Sequence, residues 1–197
     1  MDFRVVAEHF DKLEATSGRL DMTAILAELL DQTPPTDMEP LIYLTQGQLA
    51  PSYRQIELGM GEKFIAEAIA RTTGYQKKEV EALYKEKGDL GIVAEELLKK
   101  KKQKALYAET LTLKKVHANL MRIATAEGSG SQDSKIKLLS ELLNSATPVE
   151  ARFLCRMANG SLRLGMGDPT IMDAFAINLL KEFKKENPNI VKEVEME

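Results

Sequence analysis

Apolar residues recur along most of the chain at the spacing of an α-helix. Intervals of three and four residues separate the apolar side chains near the start, and nearly the same period recurs in the second half: Phe3, Val6, Phe10 and Leu13, then Leu111, Val116, Leu120 and Ile123. Residues with this spacing lie on one face of a helix. The alternation typical of a half-buried β-strand is not apparent. The pattern therefore predicts an all-α protein of about ten to twelve helices.

Residues that favour helix ends divide this pattern into segments. Asp21 is predicted to cap a helix that runs to Leu30, and Asp168 stands before Pro169, the residue type best suited to the first helical position. The segment Thr147-Pro148-Val149-Glu150 has the spacing of a capping box. Helices are predicted to begin at all three places.

The sequence also contains an internal repeat. One set of residues recurs 113 positions later: Glu28-Leu29-Leu30, Pro35, Gly47 and Leu49 correspond to Glu141-Leu142-Leu143, Pro148, Gly160 and Leu162. A second set recurs 106 positions later: Leu58-Gly59-Met60-Gly61, Ile65, Ala68 and Ala70 correspond to Leu164-Gly165-Met166-Gly167, Ile171, Ala174 and Ala176. The change of offset corresponds to a seven-residue insertion in the first copy.

A constant offset interrupted by one change of loop length predicts two copies of one helical unit. We predict a single domain over residues 1–197, with these parts: a first repeat at about 3–71, a connector at about 72–109, a second repeat at about 110–177 and a helical tail at 178–197. Gly88-Asp89 predicts a connector helix that continues through Leu98. Because each copy is short, both are expected to share one core.

The composition excludes several classes of protein. Apolar residues make up 44% of the chain, which is enough to bury a core and excludes disorder throughout. The single cysteine, Cys155, cannot form an internal disulfide, and His9 and His117 are too far apart for a local metal-ligand motif. No apolar run approaches the roughly 20 residues of a membrane span. We expect an intracellular protein without a metal site or a membrane partner.

Charge is distributed unevenly along the chain. The formal net charge is −3, but residues 99–163 contain thirteen Lys or Arg and only five Asp or Glu. Such a basic region can attract a polyanion, and it can equally well form the solvated faces of helices. Both interpretations stay open at this point.

In each copy a helix is predicted to end at a glycine, Gly47 or Gly160, and a loop with an arginine, Arg54 or Arg163, follows. A Gly-Met-Gly turn then leads into the next helix. Glycine lets the backbone approach a ligand closely, the first N–H groups of a helix attract phosphate, and arginine adds charge-assisted hydrogen bonds. Ordinary helix C-capping would require the same glycines.

A further anion-binding turn is predicted at residues 127–135, where small and hydroxyl-bearing residues precede a helix that carries Lys135 and Lys137. Its counterpart in the first copy, Thr16-Ser17-Gly18-Arg19, is shorter. Duplicated loops could hold two symmetry-related objects, and the two strands of a DNA duplex are related by local two-fold axes. A protein with a pseudo-two-fold axis can therefore lie across one groove and contact both backbones.

Four separated blocks of the sequence carry a family resemblance: QGQLAPSYRQIELGMGEKFIAEAIA, GDLGIVAEELL, GSQDSKIKLLSELL and EARFLCRMANGSLRLGMGDPTIMDAFA. Together they resemble the N-terminal DNA-binding domain of ATP-dependent DNA ligases of the archaeal and eukaryotic replicative type. The resemblance covers about residues 1–177 and implies an all-helical, pseudo-two-fold domain. Such a domain binds nicked duplex DNA through the minor groove, with little dependence on sequence, in replication and repair.

The resemblance implies a set of DNA contacts in this chain: Gly47, Arg54 and Gly59 in the first copy, and Ser129, Gly130, Ser131, Gln132, Lys135, Asn159, Gly160, Arg163 and Gly165 in the second. It places the protein in the cytoplasm of an archaeon or the nucleus of a eukaryote. Its partners would be nicked DNA and the catalytic domains of the same polypeptide.

The motif that carries catalysis in these ligases does not occur here. They form a lysyl adenylate at a Lys-x-Asp-Gly motif, which this chain lacks. The resemblance therefore implies a non-catalytic fragment of a longer enzyme. No cofactor is expected in the fragment itself, whereas the full-length ligase would use ATP and Mg²⁺.

A short segment after the lysine run resembles the sliding-clamp-binding motif of archaeal ligases, with Gln103, Leu106 and Tyr107 as the anchoring residues. The same segment can also be a solvated lysine run followed by core residues. The alternative to DNA binding is therefore an α-helical scaffold for protein interactions, or a clamp adaptor without its own grip on DNA.

Overall fold

The computed structural model describes residues 1–58, 60–100, 109–162 and 164–186. Over these residues the chain forms ten α-helices and one short 3-10 helix, without a β-strand, which confirms the all-α prediction. The α-helices are α1 Phe3–Glu14, α2 Arg19–Asp31, α3 Pro35–Thr45, α4 Glu62–Thr73, α5 Lys77–Lys87, α6 Leu90–Lys99, α7 Leu113–Thr125, α8 Ser131–Ser145, α9 Pro148–Ala158 and α10 Asp168–Glu186.

Local capping explains where most of these helices begin. The side chain of Asp89 accepts hydrogen bonds from the first backbone N–H groups of α6, and Thr147 with Glu150 forms the predicted capping box at α9. The prediction for Asp21 is wrong. Helix α2 begins at Arg19 after the N-cap Gly18, and Asp21 lies in the first turn, where its negative charge faces the positive end of the helix dipole.

The boundary predicted at Asp168 differs by one residue. Helix α10 begins at Asp168 itself, and Pro169 is its second residue. The reason is that the turn already closes one position earlier, where the backbone N–H of Thr170 donates to the carbonyl of Gly167 at 3.0 Å.

Helices α1–α4 correspond in order to helices α7–α10, and helices of each set pack against helices of the other. Helix α4 of the first set packs on α8 of the second, and α10 of the second packs on α2 of the first. In the same way α1 contacts α9 while α3 contacts α7. Reciprocal contacts of this kind are what a pseudo-two-fold axis produces.

The starts of α1 and α7 lie on either side of this axis. The backbone N–H of Phe3 donates to the carbonyl of Leu111 at 2.8 Å, and the N–H of Leu113 donates to the carbonyl of Met1 at 3.0 Å. Each hydrogen bond is the counterpart of the other, because Phe3 and Leu113 are the first residues of α1 and α7. The two sets are thereby joined at their first residues.

A single hydrophobic core fills the space between the two sets, as expected from their short length. At its centre the fully buried rings of Phe10 and Phe153 meet edge to face, with centroids 5.6 Å apart and planes at 79°. Helix α6 crosses α9 so closely that a Cβ on Gly91 would stand 2.5 Å from the carbonyl oxygen of Arg152. The connector helix therefore belongs to the same packed unit.

Candidate nucleic-acid interface

Helices α3 and α9 end in the same kind of turn. Gly47 and Gly160 have φ angles of +70° and +65°, a left-handed conformation that favours glycine. The N–H of the residue after each glycine donates to a carbonyl five residues earlier, from Gln48 to Tyr43 at 2.8 Å and from Ser161 to Arg156 at 2.9 Å. Both turns are therefore Schellman-type C-caps, and this backbone conformation is by itself sufficient reason for glycine at both positions.

The same two turns also bring the repeats together. A Cβ on Gly47 would lie 3.3 Å from the carbonyl oxygen of Leu162, and a Cβ on Gly160 would lie 2.5 Å from that of Leu58. The backbone N–H of Met60 donates to the carbonyl of Ala158 at 2.8 Å. The loop that follows α3 thus lies directly against the loop that follows α9, and predicted contacts from both copies are neighbours in space.

The loop from α3 to α4 is fixed at its ends and exposed in its middle. Leu49, Ala50 and Met60 are buried, and the Nε2 of His117 donates to the carbonyl of Leu49 at 2.7 Å. Between these anchors Ser52–Arg54 forms the 3-10 helix. Arg54 is exposed, and no described acid lies within ion-pair distance of its guanidinium.

The turn before α8 has the exposed backbone predicted for an anion-binding turn. Gly128 and Gly130 have φ angles of +82° and +84°, and no atom lies within 4 Å of a Cβ built on either one. Gly130 is the N-cap of α8; the N–H of Ser131 donates to the carbonyl of Gly128 at 3.2 Å, and the next N–H groups of the first turn have no acceptor within the helix. A pocket is lined by the turn and by two apolar side chains from α4 and α8: Gly128, Ser129, Gly130, Ser131, Gln132 and Asp133, with Phe64 and Ile136.

Several basic side chains near these loops are available to bind an anion. Among the described residues no ion pair involves Arg54, Lys63 at the start of α4, or the half-buried Lys135 of α8. Asp133, one of two acids at the turn, is itself paired with Arg71 at 3.1 Å, whereas the exposed Glu127 has no described ion-pair partner. One of the two negative charges at the turn is thereby compensated.

Two other members of the basic region serve the fold instead. Arg156 pairs with Asp89 at 2.8 Å and with Glu14 at 2.9 Å, and Arg152 pairs with Glu95 at 3.3 Å. Burial alone would lower the pKa of Arg156, but its hydrogen bonds to Glu14 and Asp89 outweigh that effect and raise it. The excess of basic residues over positions 99–163 is thus divided between the interior and the surface.

The remaining predicted contact residues fall into two groups. Asn159 is half-buried beside Ser161, and Gly165 is exposed with a φ angle of +70° next to Met22. The other predicted residues lie outside the described part of the chain: Gly59, Arg163, Gln103, Leu106 and Tyr107. Lys63 was not among the predicted contacts, although its position two residues after the Gly59-Met60-Gly61 turn was a signal for it.

Two features of the described residues bear on their chemistry, the spacing of possible metal ligands and the burial of the cysteine. No group of three or more His, Cys, Asp or Glu within them could hold a metal. Cys155 is fully buried, and burial raises the pKa of its thiol, which disfavours the reactive thiolate. In the same part of the chain no helix is long and apolar enough to cross a membrane.

Comparison with known families decides the assignment. A family model described as DNA ligase N terminus matches residues 2–176. The chain belongs to this family. The resemblance drawn from the four sequence blocks is thereby confirmed, and the all-helical fold agrees with it.

The relatives of this ligase domain include archaeal proteins named DNA ligase. One from Saccharolobus solfataricus is 44% identical over 185 residues, which cover 90% of this chain and 31% of the relative. One from Nitrosopumilus maritimus is 41% identical over 177 residues, which cover 90% of this chain and 30% of the relative. The chain therefore spans about a third of the length of the relatives it matches.

Proposed function

We propose that this domain binds nicked double-stranded DNA without sequence preference, through phosphates and the minor groove. Its place would be at the N-terminus of an ATP-dependent DNA ligase that seals nicks in replication and repair. The observation that carries the proposal is the contact between the loops after α3 and α9, seen where Gly160 meets Leu58. This contact brings backbone turns from two copies of one unit to a single surface, as a ligand with two similar halves requires.

The chemistry of that surface fits a sugar-phosphate backbone. The start of α8 adds the positive end of a helix dipole beside an exposed glycine turn, and Arg54, Lys63 and Lys135 have no described acid to neutralise them. Such groups recognise phosphate and sugar, not base edges. The binding that we propose is therefore independent of sequence and sensitive to salt.

The catalytic part of the reaction belongs, in this proposal, to the rest of a longer polypeptide. The full-length ligase would use ATP and Mg²⁺, and its catalytic domains would be partners of this one. Support comes from the relatives, which are about three times as long, and from the missing Lys-x-Asp-Gly motif. In an archaeal cell this work takes place in the cytoplasm, where the chromosome lies.

The proposal is tested by fluorescence anisotropy of the domain with a labelled nicked duplex and an intact duplex of the same sequence. We expect binding that weakens steeply between low and moderate salt, with a log–log slope of roughly −0.9 for each phosphate neutralised. A second duplex of unrelated sequence serves as the control and should bind equally well. Absence of binding even at low salt would contradict the proposal and favour the protein-interaction scaffold.

The clamp motif is a separate part of the proposal, because Gln103, Leu106 and Tyr107 lie outside the described residues. Its support is the sequence pattern and the family. A sliding clamp should bind the domain, and changing Gln103 and Tyr107 to Ala should abolish that binding while DNA binding stays the same. Equal clamp binding by the variant would contradict this role.

A further inference from the structure

Tyr53 is a large side chain that does nothing for the packing of the free domain. It stands in the middle of the α3–α4 loop and is 83% exposed, whereas Leu49 and Met60 at the ends of that loop are buried. The loop is therefore held firmly on both sides and presents the ring outward. An exposed aromatic ring presented by an anchored loop is available for a partner.

The surroundings of Tyr53 indicate a nucleic-acid partner. Arg54 follows directly and, among the described side chains, has no acidic partner. The loop ends lie against the glycine turn of the second repeat, through Leu58 beside Gly160. An aromatic ring beside a free guanidinium combines the two groups that proteins use to stack on bases and to neutralise phosphates.

The loop also breaks the symmetry of the domain. The seven extra residues that carry Tyr53 occur only in the first copy, because four residues alone separate Gly160 from Gly165 in the second. A nick breaks the symmetry of a duplex in the same sense, since only one strand is interrupted. A loop that occurs in only one of the two repeats is therefore suited to recognise a break that occurs in only one of the two strands.

We propose that the ring of Tyr53 enters the minor groove at the interrupted step of a nicked duplex and stacks against an exposed base there, while Arg54 contacts a neighbouring phosphate. Entry requires two adjacent base pairs to separate. Separation is easier where one strand has lost its phosphodiester link, so the contact favours a nicked duplex over an intact one. This inference rests on the proposed function and adds the residue that distinguishes the two duplexes.

The test compares four proteins on nicked and intact duplexes by fluorescence anisotropy: the wild type, Tyr53→Ala, Tyr53→Phe and Leu180→Ala. Tyr53→Ala should weaken binding to the nicked duplex by about 5- to 150-fold, the range expected for loss of one base stack, and should leave binding to the intact duplex unchanged. Tyr53→Phe keeps the ring and should keep most of the preference. Leu180 is 60% exposed on α10, so Leu180→Ala is a matched loss of exposed apolar surface and should change neither affinity.

A folding defect would not be mistaken for a loss of binding, because Tyr53 is almost fully exposed and circular dichroism can verify that each variant is folded. Equal weakening on both duplexes, no weakening at all, or equal affinity of the wild type for both duplexes would each overturn the role of Tyr53 while leaving duplex binding intact. Failure of the wild type to bind either duplex would overturn the proposed function and this inference together.

Discussion

Gly160 of the second repeat faces the carbonyl oxygen of Leu58 in the first so closely that a Cβ would stand 2.5 Å from it. Gly160 also has a φ angle of +65°. The two requirements have different origins: the C-cap of α9 needs the left-handed backbone, and the contact between repeats needs the empty space. One residue thus serves both the local turn and the pairing of the two halves.

The first prediction separates these requirements. Gly160→Ala should lower the free energy of unfolding by about 2–4 kcal/mol, from left-handed strain and from displacement of the Leu58 backbone. Gly74→Ala is the control, because Gly74 has a φ angle of +79° and no atom within 4 Å of its Cβ position; it should cost only about 1 kcal/mol. Urea unfolding measures both, and equal losses would show that the contact with Leu58 contributes nothing.

The local features of the fold could be predicted from the sequence, because each depends on a few neighbouring residues. Examples are the capping box at Thr147, the N-cap at Asp89 and the glycine turn after α3. The exchange of helices between the two sets could not, since the repeat pattern is the same whether α4 packs on its own α2 or on α8. That choice is made by side chains far apart in the chain.

The charged residues show the same difference between local features, which can be predicted from the sequence, and long-range contacts, which cannot. The lysines and arginines of residues 99–163 look alike in sequence, but Arg156 lies in a network with Glu14 and Asp89, whereas Lys135 has no described acid beside it. Only the packing of α9 against α1 and α6 distinguishes them. For the same reason the exposure of Tyr53 could not be predicted from the sequence, because it depends on the tertiary contacts that hold the two ends of its loop.

The second prediction concerns the Arg156 network. Arg156→Ala should lower the free energy of unfolding by about 2–4 kcal/mol, because it leaves Asp89, the α6 N-cap, without its ion-pair partner and leaves Glu14 of α1 with only its 3.7 Å contact to Arg152. The Arg156 side chain is only 11% exposed, and Glu14 and Asp89 are 36% and 26% exposed, so solvent would compensate for the lost contacts only in part. As a control, Lys99→Ala removes an exposed ion pair with Glu95 and should change stability by no more than about 0.5 kcal/mol. Similar small effects for both variants in urea unfolding would argue against a stabilising network.

The third prediction concerns pH. Burial raises the pKa of Glu150 above its ordinary value of 4.5, against the opposing hydrogen bonds from Thr147. The folded domain therefore holds this proton more tightly than the unfolded chain, so the contribution of Glu150 is full at acid pH and is lost as pH rises through the raised pKa.

Glu150→Gln tests this sign. The amide keeps the oxygen that accepts the Thr147 N–H in the capping box, but it cannot ionise. The stability of the variant relative to the wild type should rise as pH increases from about 4 to about 8 in thermal unfolding. The difference between the two proteins removes the effects of all other titrating groups, and a difference that stays constant with pH would contradict the raised pKa.

The fourth prediction concerns the phosphate contacts. Arg54→Ala should weaken duplex binding equally for unrelated sequences and reduce the magnitude of the log–log salt slope by about 0.9, the value for one phosphate. Lys78→Ala makes the same change of charge on α5, at an exposed lysine that also has no described acid partner, and should leave the slope unchanged. Equal slopes for Arg54→Ala and the wild type, or a loss confined to one sequence, would exclude a backbone contact at Arg54.

The last prediction uses the absence of tryptophan from the chain. Tyr53→Trp would place the only indole at the tip of the α3–α4 loop, where it should emit as a water-exposed indole in the free domain. Stacking against a base should quench and blue-shift this emission when a nicked duplex is added, and moderate salt should reverse the change as the complex dissociates. Leu180→Trp on α10 carries an equally isolated reporter and should respond to neither duplex. If both reporters respond alike, or if Trp at position 53 responds equally to intact DNA, the ring does not enter the interrupted step.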